Sequence, residues 1–234
     1  MASNSEITFG ARLSNASTLS THLKSFTDYA PPKADQSGAN LDAVVETIKT
    51  QNSNTAGNKQ AWSSAVDKRQ KLFTKDADSL VKIMSPLGAV VRSIFSKTSK
   101  EATDIAAMIV KIRGEKFKKG KAEPNAEFVS QSEKSFGSMT QNFSDIIATL
   151  QKFGGTYKPA NKSITIDNLV AKSALLTLAN TDVAAAYGTL KQSTDDRVVL
   201  YKSLTDLTQG IKDAVKSQYL VSSTEYALVK GLKI

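Results

Sequence analysis

The residue types that most enzymes use for acid–base, nucleophilic or metal chemistry are scarce in this chain. It has 234 residues, no cysteine and one histidine, His22. A chain without cysteine has no thiolate nucleophile, no thiolate metal site and no disulfide framework. His22 lies in a stretch that is typical of an amphipathic helix, so we interpret it as a surface or boundary residue.

Carboxylates do not replace the missing histidines. Two acidic pairs stand out, Asp76 with Asp78 and Asp195 with Asp196. Residues one or two apart face different sides of a helix, so neither pair predicts a catalytic dyad or a two-metal site. The sequence also lacks the common nucleophile-elbow, P-loop, dinucleotide, zinc-protease and di-iron motifs. We therefore predict a protein that is not an enzyme and has no catalytic residue, metal or cofactor.

A basic stretch over 111–121 is the strongest candidate for binding a ligand by charge. Its positive residues, opposed by one glutamate, are Lys111, Arg113, Lys116, Lys118, Lys119 and Lys121. Such a cluster attracts the phosphates of nucleic acid or of anionic lipid. A solvated linker is the simpler interpretation, because no aromatic platform accompanies the cluster. Binding of nucleic acid or an anionic surface is therefore the alternative to our main prediction.

Apolar residues recur at steps of three and four along most of the chain, which predicts helices. The helices are expected over about 10–29, 39–96, 99–113, 126–153, 165–220 and 223–231. No alternating run of useful length predicts a strand. The fold prediction is all-α, an elongated up-down helical bundle with two very long helices. Pro86 and Gly88 should kink or break the first of these.

The chain resembles itself at a fixed offset. A shift of 128 residues aligns 40–83 with 168–211 and gives ten identities at 44 positions. Farther along the chain the offset falls to 124, which predicts about one extra helical turn in the first copy, near Pro86. These matches predict a tandem duplication of a helix–long helix–short helix unit.

The duplication predicts the domain organisation. The first helical repeat is expected over 1–113 and the second over 125–234, with a basic inter-repeat loop over 114–124. Because the connections are short, the two repeats are expected to form one continuous bundle.

Polar residues interrupt the apolar seam of the long helices, which is close to the heptad stripe of a coiled coil. Asn52 and Asn180 fall on the seam at corresponding positions, as do Arg69 and Arg197. A buried asparagine costs stability but fixes helix register, and we expect each arginine to pair with an acid on another helix. We interpret the four residues as a register-setting layer, with a buried anion site as the other interpretation.

Membrane insertion has little support in the sequence. No stretch approaches the roughly 18 apolar residues that span a bilayer, and the first residues lack a signal-peptide pattern. We therefore predict a cytoplasmic protein without a transmembrane segment, although export by a leaderless route stays open. The apolar stretches 87–95 and 105–112 flank a turn, as in the hairpins of α-helical pore-forming toxins. A membrane-active protein of that kind is the second alternative.

Two stretches carry a resemblance to other proteins, NLDAVVETIKTQNSNTAGNKQAW over 40–62 and MIVKIRGEKFKKG over 108–120. They resemble uncharacterised helical proteins of Bacteroidetes bacteria, and the resemblance extends over most of the chain. It implies an all-helical bacterial protein and carries no activity or site. The main prediction is a non-enzymatic structural or protein-interaction bundle that binds a protein partner or self-assembles through its long helix faces.

Overall fold

A computed structural model describes residues 8–114 and 135–234, and it consists of helices and short connections. The α-helices are α1 (Phe9–Ser25), α2 (Gly38–Gln70), α3 (Leu80–Phe95), α4 (Lys100–Arg113), α5 (Phe136–Lys152), α6 (Ile166–Tyr219) and α7 (Thr224–Lys230). Short 3-10 turns lie at Ala34–Gln36, Gly154–Thr156 and Lys162–Ile164. These two ranges contain no strand, so the all-α prediction is confirmed.

Hydroxyl side chains mark where four of the helices begin. Thr8, Ser99, Ser135 and Ser223 each accept a hydrogen bond from a backbone N–H three residues farther along. Such caps satisfy one of the free N–H groups at a helix start. The cap at Ser135 corrects the predicted helix over 126–153, because α5 begins at Phe136. Residues 126–134 lie outside the described residues.

The first long helix is interrupted at a different place from the one predicted. The expected helix over 39–96 consists of α2, a π-helical turn over Lys71–Lys75, a connection over 76–79, and α3. Pro86 lies inside α3 and does not end it. The sequence Asp-Ala-Asp-Ser at 76–79 explains the break, since short polar side chains compete for backbone hydrogen bonds and favour turns.

A lysine from α6 stabilises this break. The Lys172 ammonium group donates to the carbonyl oxygen of Asp78 at 2.6 Å and to its carboxylate at 3.0 Å. Only 12% of the Lys172 side chain is exposed. The hydrogen bond from Lys172 lowers the pKa of the Asp78 carboxyl group. Charge and a backbone hydrogen bond together therefore fix the conformation of the connection.

The chain divides into two compact units. Unit 1 contains Met1–Gln60 and Gly188–Ile234, and unit 2 contains Ala61–Tyr187. The division falls within α2 and within α6. Each unit therefore takes residues from both of the predicted repeats, whose boundaries stay a prediction.

The core of unit 1 is built from α1, the first part of α2, the last part of α6, and α7. Its larger buried side chains are those of Leu19, Leu41, Ile48, Tyr201, Leu204, Ile211 and Val229. Full burial of such a side chain contributes roughly 1.5–3 kcal/mol. The core therefore joins helices that lie far apart in the sequence.

The core of unit 2 is built from α3, α4, α5, the π-helical turn and the first part of α6. Its larger buried side chains are those of Phe73, Met84, Leu87, Ile105, Ile109, Phe143 and Ile146. Parts of the two apolar stretches 87–95 and 105–112 therefore pack in this core. Every helix within 8–114 and 135–234 is too short or too polar to cross a membrane.

Candidate functional site

The seam residues of unit 1 form a packed polar layer. The Asn52 amide donates to the Tyr201 hydroxyl group at 2.9 Å, and this hydroxyl group donates to the Phe9 carbonyl oxygen at 3.0 Å. The Arg197 guanidinium group lies over the Phe9 ring, 4.7 Å from its centre. One helix start is thus joined to the seam by hydrogen bonds and by a cation–aromatic contact.

Unit 2 contains a similar layer with less hydrogen bonding. The Arg69 guanidinium group lies 4.1 Å from the centre of the Phe136 ring, and the Asn180 amide donates to the Thr140 hydroxyl group at 3.2 Å. Within 8–114 and 135–234, neither Arg69 nor Arg197 has a carboxylate at ion-pair distance. An aromatic ring thus stands where the sequence predicts an acid.

The basic stretch is described only at its beginning. Lys111 and Arg113 lie half-buried in the last turn of α4, where positive side chains interact favourably with the helix dipole. Gly114 ends the helix with a φ of 64°, in the left-handed region that glycine adopts readily. The other four residues of the predicted patch, Lys116, Lys118, Lys119 and Lys121, lie outside the described residues.

Other residues that could take part in chemistry already have partners. Asp195 forms an ion pair with Lys191, as Asp78 does with Lys172. His22 lies on α1, and its carbonyl oxygen accepts a hydrogen bond from the Ser25 hydroxyl group at 2.7 Å. In the described part of the chain, no group of three or more histidine and acidic side chains is placed to hold a metal ion.

An open groove of about 610 Å³ lies between α5 and the first part of α6, within unit 2. We call it the apolar groove. Its apolar lining consists of Ile147, Ala148, Val170, Ala174 and Leu178. Serine, threonine and one glutamine complete the lining, which has no charged side chain. Such a groove resembles the surfaces that bind the apolar face of a helix.

The amphipathic pattern of α6 explains why this groove is exposed. Leu169 and Leu176 point into the core, whereas Val170 is 45% exposed and Leu178 is 51% exposed. Leu175, which does not line the groove, is 50% exposed. Two leucines and a valine thus lie close together on one helix surface, where a single exposed apolar residue would be ordinary.

The same part of α6 has no unpaired charge. Between Val170 and Leu190 the only charged residues are Lys172 and Asp182. Lys172 pairs with Asp78 at 3.0 Å, and Asp182 pairs with Lys68 at 3.2 Å. Both partners belong to unit 2. Sequence reasoning missed this surface, although the long gap between charges on a predicted helix was the signal that could have found it.

In unit 1 a charged pair lies at the corresponding place, between α1 and α2. Lys24 forms an ion pair with Asp42, and the Ser20 hydroxyl group donates to the same carboxylate at 2.5 Å. The hydrogen bond from Lys24, followed by that from Ser20, lowers the pKa of the Asp42 carboxyl group. At an offset of 127 or 128 the three positions become Gln151, Val170 and Ile147.

A second open groove, of about 750 Å³, lies between α2 and α6 within unit 1. Amide and hydroxyl side chains dominate its lining, and Asp196 is the one charged residue among the lining residues. The Gln51 amide and the Thr55 hydroxyl group donate to the Ser193 carbonyl oxygen at 2.9 and 3.2 Å. We call it the polar groove.

The two grooves offer different chemistry. The polar groove can exchange hydrogen bonds, but water satisfies the same groups equally well. The apolar groove gains free energy only when another apolar surface covers it. It is therefore the stronger candidate for a functional site. No family model matches this chain, and neither the curated proteins nor the solved structures provide a match to it.

Proposed function

We propose that the protein is a non-enzymatic interaction protein that binds a helix in the apolar groove of unit 2. The observation that carries the proposal is the uncharged lining of the groove, with Val170 and Leu178 half-exposed. The occupant is an amphipathic helix whose contacting face is uncharged, because a charged face would lose its hydration without gaining a partner. Leucine and alanine at steps of three and four would match the lining.

The expected affinity is moderate. Covering the exposed half of Val170 or Leu178 contributes on the order of 1 kcal/mol for each residue. Loss of translational and rotational freedom opposes this gain, so several such contacts are required. The groove therefore suits a partner helix that also contacts the neighbouring exposed surface of α6.

A labelled synthetic helix tests the proposal. The probe is a peptide of about 18 residues with leucine and alanine on one face and glutamine and serine elsewhere. Its dissociation constant is measured by fluorescence anisotropy for the wild type, Leu178→Glu and Leu175→Glu. The two leucines are almost equally exposed, at 51% and 50%, but only Leu178 lines the groove.

We expect Leu178→Glu to weaken binding at least about tenfold, because a carboxylate in the groove loses water when the peptide binds. Leu175→Glu should change the dissociation constant less than about twofold, since an exposed charge outside the contact keeps its hydration. Equal weakening by both variants, or no binding to the wild type, would contradict the proposal.

We also propose that the chain arose by tandem duplication, and repeated contacts support this. The Tyr29 hydroxyl group donates to the Gln36 carbonyl oxygen at 3.2 Å. The Tyr157 hydroxyl group donates to the Ile164 carbonyl oxygen at 2.7 Å. Donor and acceptor differ by 128 residues between the two cases. A hydrogen bond that spans a connection in the same way twice is hard to explain by helical periodicity alone.

Aromatic pairs repeat as well. The Phe9 and Tyr201 rings are 4.5 Å apart in unit 1, and the Phe136 and Phe73 rings are 4.9 Å apart in unit 2. In each case the first residue begins a short helix and the second lies on or directly after a long one. On this proposal the extra turn of the first copy is the connection over 76–79, not the region of Pro86. From Leu80 onward an offset of 124 aligns buried residues with buried residues.

A further inference from the structure

We propose that the helix in the apolar groove belongs to a second copy of this chain. Two hairpins, each made of α5 and the first part of α6, would pack about a twofold axis as a four-helix arrangement. The inference rests on the proposed function and names the partner for the same groove. Three observations carry it: the charge of the whole chain, the absence of charge at the groove, and the pairing of the nearest charges.

The charge of the chain restricts where two copies can meet. The chain has a formal net charge of +9. Two copies therefore repel, and a favourable contact needs a surface where apolar burial is not opposed by facing lysines. The apolar groove is such a surface, because none of its lining residues is charged.

Twofold symmetry makes this requirement stricter. Near the axis each residue faces its own copy, so an unpaired lysine would face a lysine. Lys172 and Asp182 are the charged residues of α6 closest to the groove lining, and both are neutralised within their own unit. Ala174 lies in the middle of the lining, and its small side chain allows two helices to approach closely.

The corresponding surface of unit 1 could not serve the same purpose. There Lys24 and Asp42 replace the glutamine and valine of the groove, and Glu46 and Lys49 follow on α2. A nucleic acid or anionic membrane is a poor occupant of the apolar groove for a related reason, because both are bound by positive side chains. An uncharged partner surface fits best, and the chain itself provides one.

Sedimentation equilibrium over roughly 1 to 500 μM tests the inference on the full chain, because apolar contacts of this size give dissociation constants in that range. The wild type is compared with Leu178→Glu and with Val199→Glu, a change at a 63% exposed residue of α6 in unit 1. A third variant, Gln151→Lys with Val170→Asp, places the ion pair of unit 1 in the groove. Circular dichroism checks that all variants are folded.

We expect the wild type to dimerise and Val199→Glu to behave like it. Leu178→Glu and the double variant should raise the dimer dissociation constant at least about tenfold, because both bury charge at the contact. Raising the salt concentration should strengthen the dimer or leave it unchanged, since salt screens the repulsion between the two positive chains. Weakening by salt would overturn the inference, because it would mean that ion pairs form the contact.

Disulfide cross-linking locates the contact independently. The natural chain has no cysteine, so a single introduced cysteine can only pair with its own copy. A disulfide needs Cα atoms within roughly 4.4–6.8 Å of each other. At least one of Ala174→Cys, Leu178→Cys and Thr181→Cys should give a covalent dimer under mild oxidation, whereas Val199→Cys should not.

The outcomes separate the inference from the proposed function. A monomer at all concentrations that still binds the synthetic helix through Leu178 would overturn the inference and leave the proposed function standing. A dimer that is insensitive to both groove variants would also overturn the inference, since another surface would then hold the copies together. A monomer that does not bind the peptide would overturn both.

Discussion

Asp42 in unit 1 and Val170 in unit 2 occupy corresponding positions near the start of a long helix. In unit 1 the carboxylate pairs with Lys24 on the neighbouring short helix and accepts a hydrogen bond from Ser20. In unit 2 the valine lines an open groove beside Gln151. Similar helix packing therefore supports a closed, charged surface in one unit and an open, apolar surface in the other.

The difference teaches that backbone arrangement and surface chemistry are set by different residues. In both units the short helix is positioned by buried leucine and isoleucine, such as Leu19 in unit 1 and Ile146 in unit 2. These side chains leave the outer surface free to vary. A charged pair there contributes less than about 1 kcal/mol of stability, so exchange for apolar residues costs the fold little.

The cores differ too, and the largest expected effect is a cavity in unit 2. Phe143 is fully buried on α5, and the position 127 residues earlier is the small residue Ala16. Phe143→Ala should lower the free energy of unfolding by about 3–5 kcal/mol, because a cavity adds to the lost burial. Urea denaturation followed by circular dichroism measures this, with Phe143→Leu as the milder control. A loss below about 1 kcal/mol would mean that the unit 2 core is as loosely filled at this position as Ala16 suggests for unit 1.

The two repeated tyrosine hydrogen bonds should differ in strength. Tyr157 is buried and its hydroxyl group lies 2.7 Å from its acceptor, whereas Tyr29 is half-buried at 3.2 Å. Tyr157→Phe should cost about 1–2 kcal/mol of unfolding free energy, and Tyr29→Phe should cost less. Urea titrations of the two single variants give the comparison. Equal costs would show that burial does not strengthen the bond in unit 2.

Tyr157 also predicts a pH dependence at high pH. Burial raises the pKa of its hydroxyl group from 10.0 to about 12. The neutral form is favoured in the folded state, so its stabilisation is complete below pH 10 and is lost as the pH rises towards 12. Over this interval the stability of the wild type should fall more steeply than that of Tyr157→Phe. Parallel profiles would show that other groups cause the alkaline transition.

Glycines in the two units should respond in opposite directions to alanine. A Cβ atom at Gly57 or Gly188 in unit 1 meets no atom within 4 Å, whereas one at Gly88 in unit 2 lies 3.1 Å from Ile109. Gly57→Ala and Gly188→Ala should each raise the unfolding free energy by about 0.5–1 kcal/mol, through helix propensity. Gly88→Ala should not, because of the close contact. Thermal unfolding of the three variants provides the test, and a gain for Gly88→Ala would contradict the distinction.

The smallest effect on stability is expected from exchanging the surfaces. Lys24→Gln with Asp42→Val gives unit 1 the side chains of the apolar groove and should cost less than about 1 kcal/mol. Peptide binding should then show a second site with Ser20 also changed to Ile, as in unit 2. Isothermal titration measures the stoichiometry with the synthetic helix. One site in the triple variant would show that side chains at these three positions do not suffice to make a groove.

Sequence reasoning predicted α4, α6 and α7 to within about a residue, because their starts and ends coincide with Gly114, with capping serines or with long apolar periodicity. It failed at 76–79, where the helical pattern continues across the break. Local competition from Asp76, Asp78 and Ser79 for backbone hydrogen bonds outweighed periodicity there. The proline that attracted attention was harmless, since one missing N–H inside a well-packed helix does not end it.

The candidate site was harder to predict than the fold. Attention went to residues with obvious charge, such as Lys116 and Arg197. The apolar groove depends instead on which apolar residues the core leaves uncovered, and periodicity does not distinguish Leu176, which is buried, from Leu178, which is not. That distinction depends on how α5 packs beside α6, which is a tertiary property.

The break over 76–79 also sets a rotational phase. Each residue of an α-helix advances the side-chain direction by about 100°, so four extra residues in an unbroken helix would turn all later side chains by about 40° beyond a full turn. The apolar stripe of α3 would then miss α4 and α5. Because the chain leaves the helix at Asp76 and enters a new one at Leu80, the angular setting of α3 is independent of α2. Lys172, by holding the connection, acts as the stop that keeps this setting.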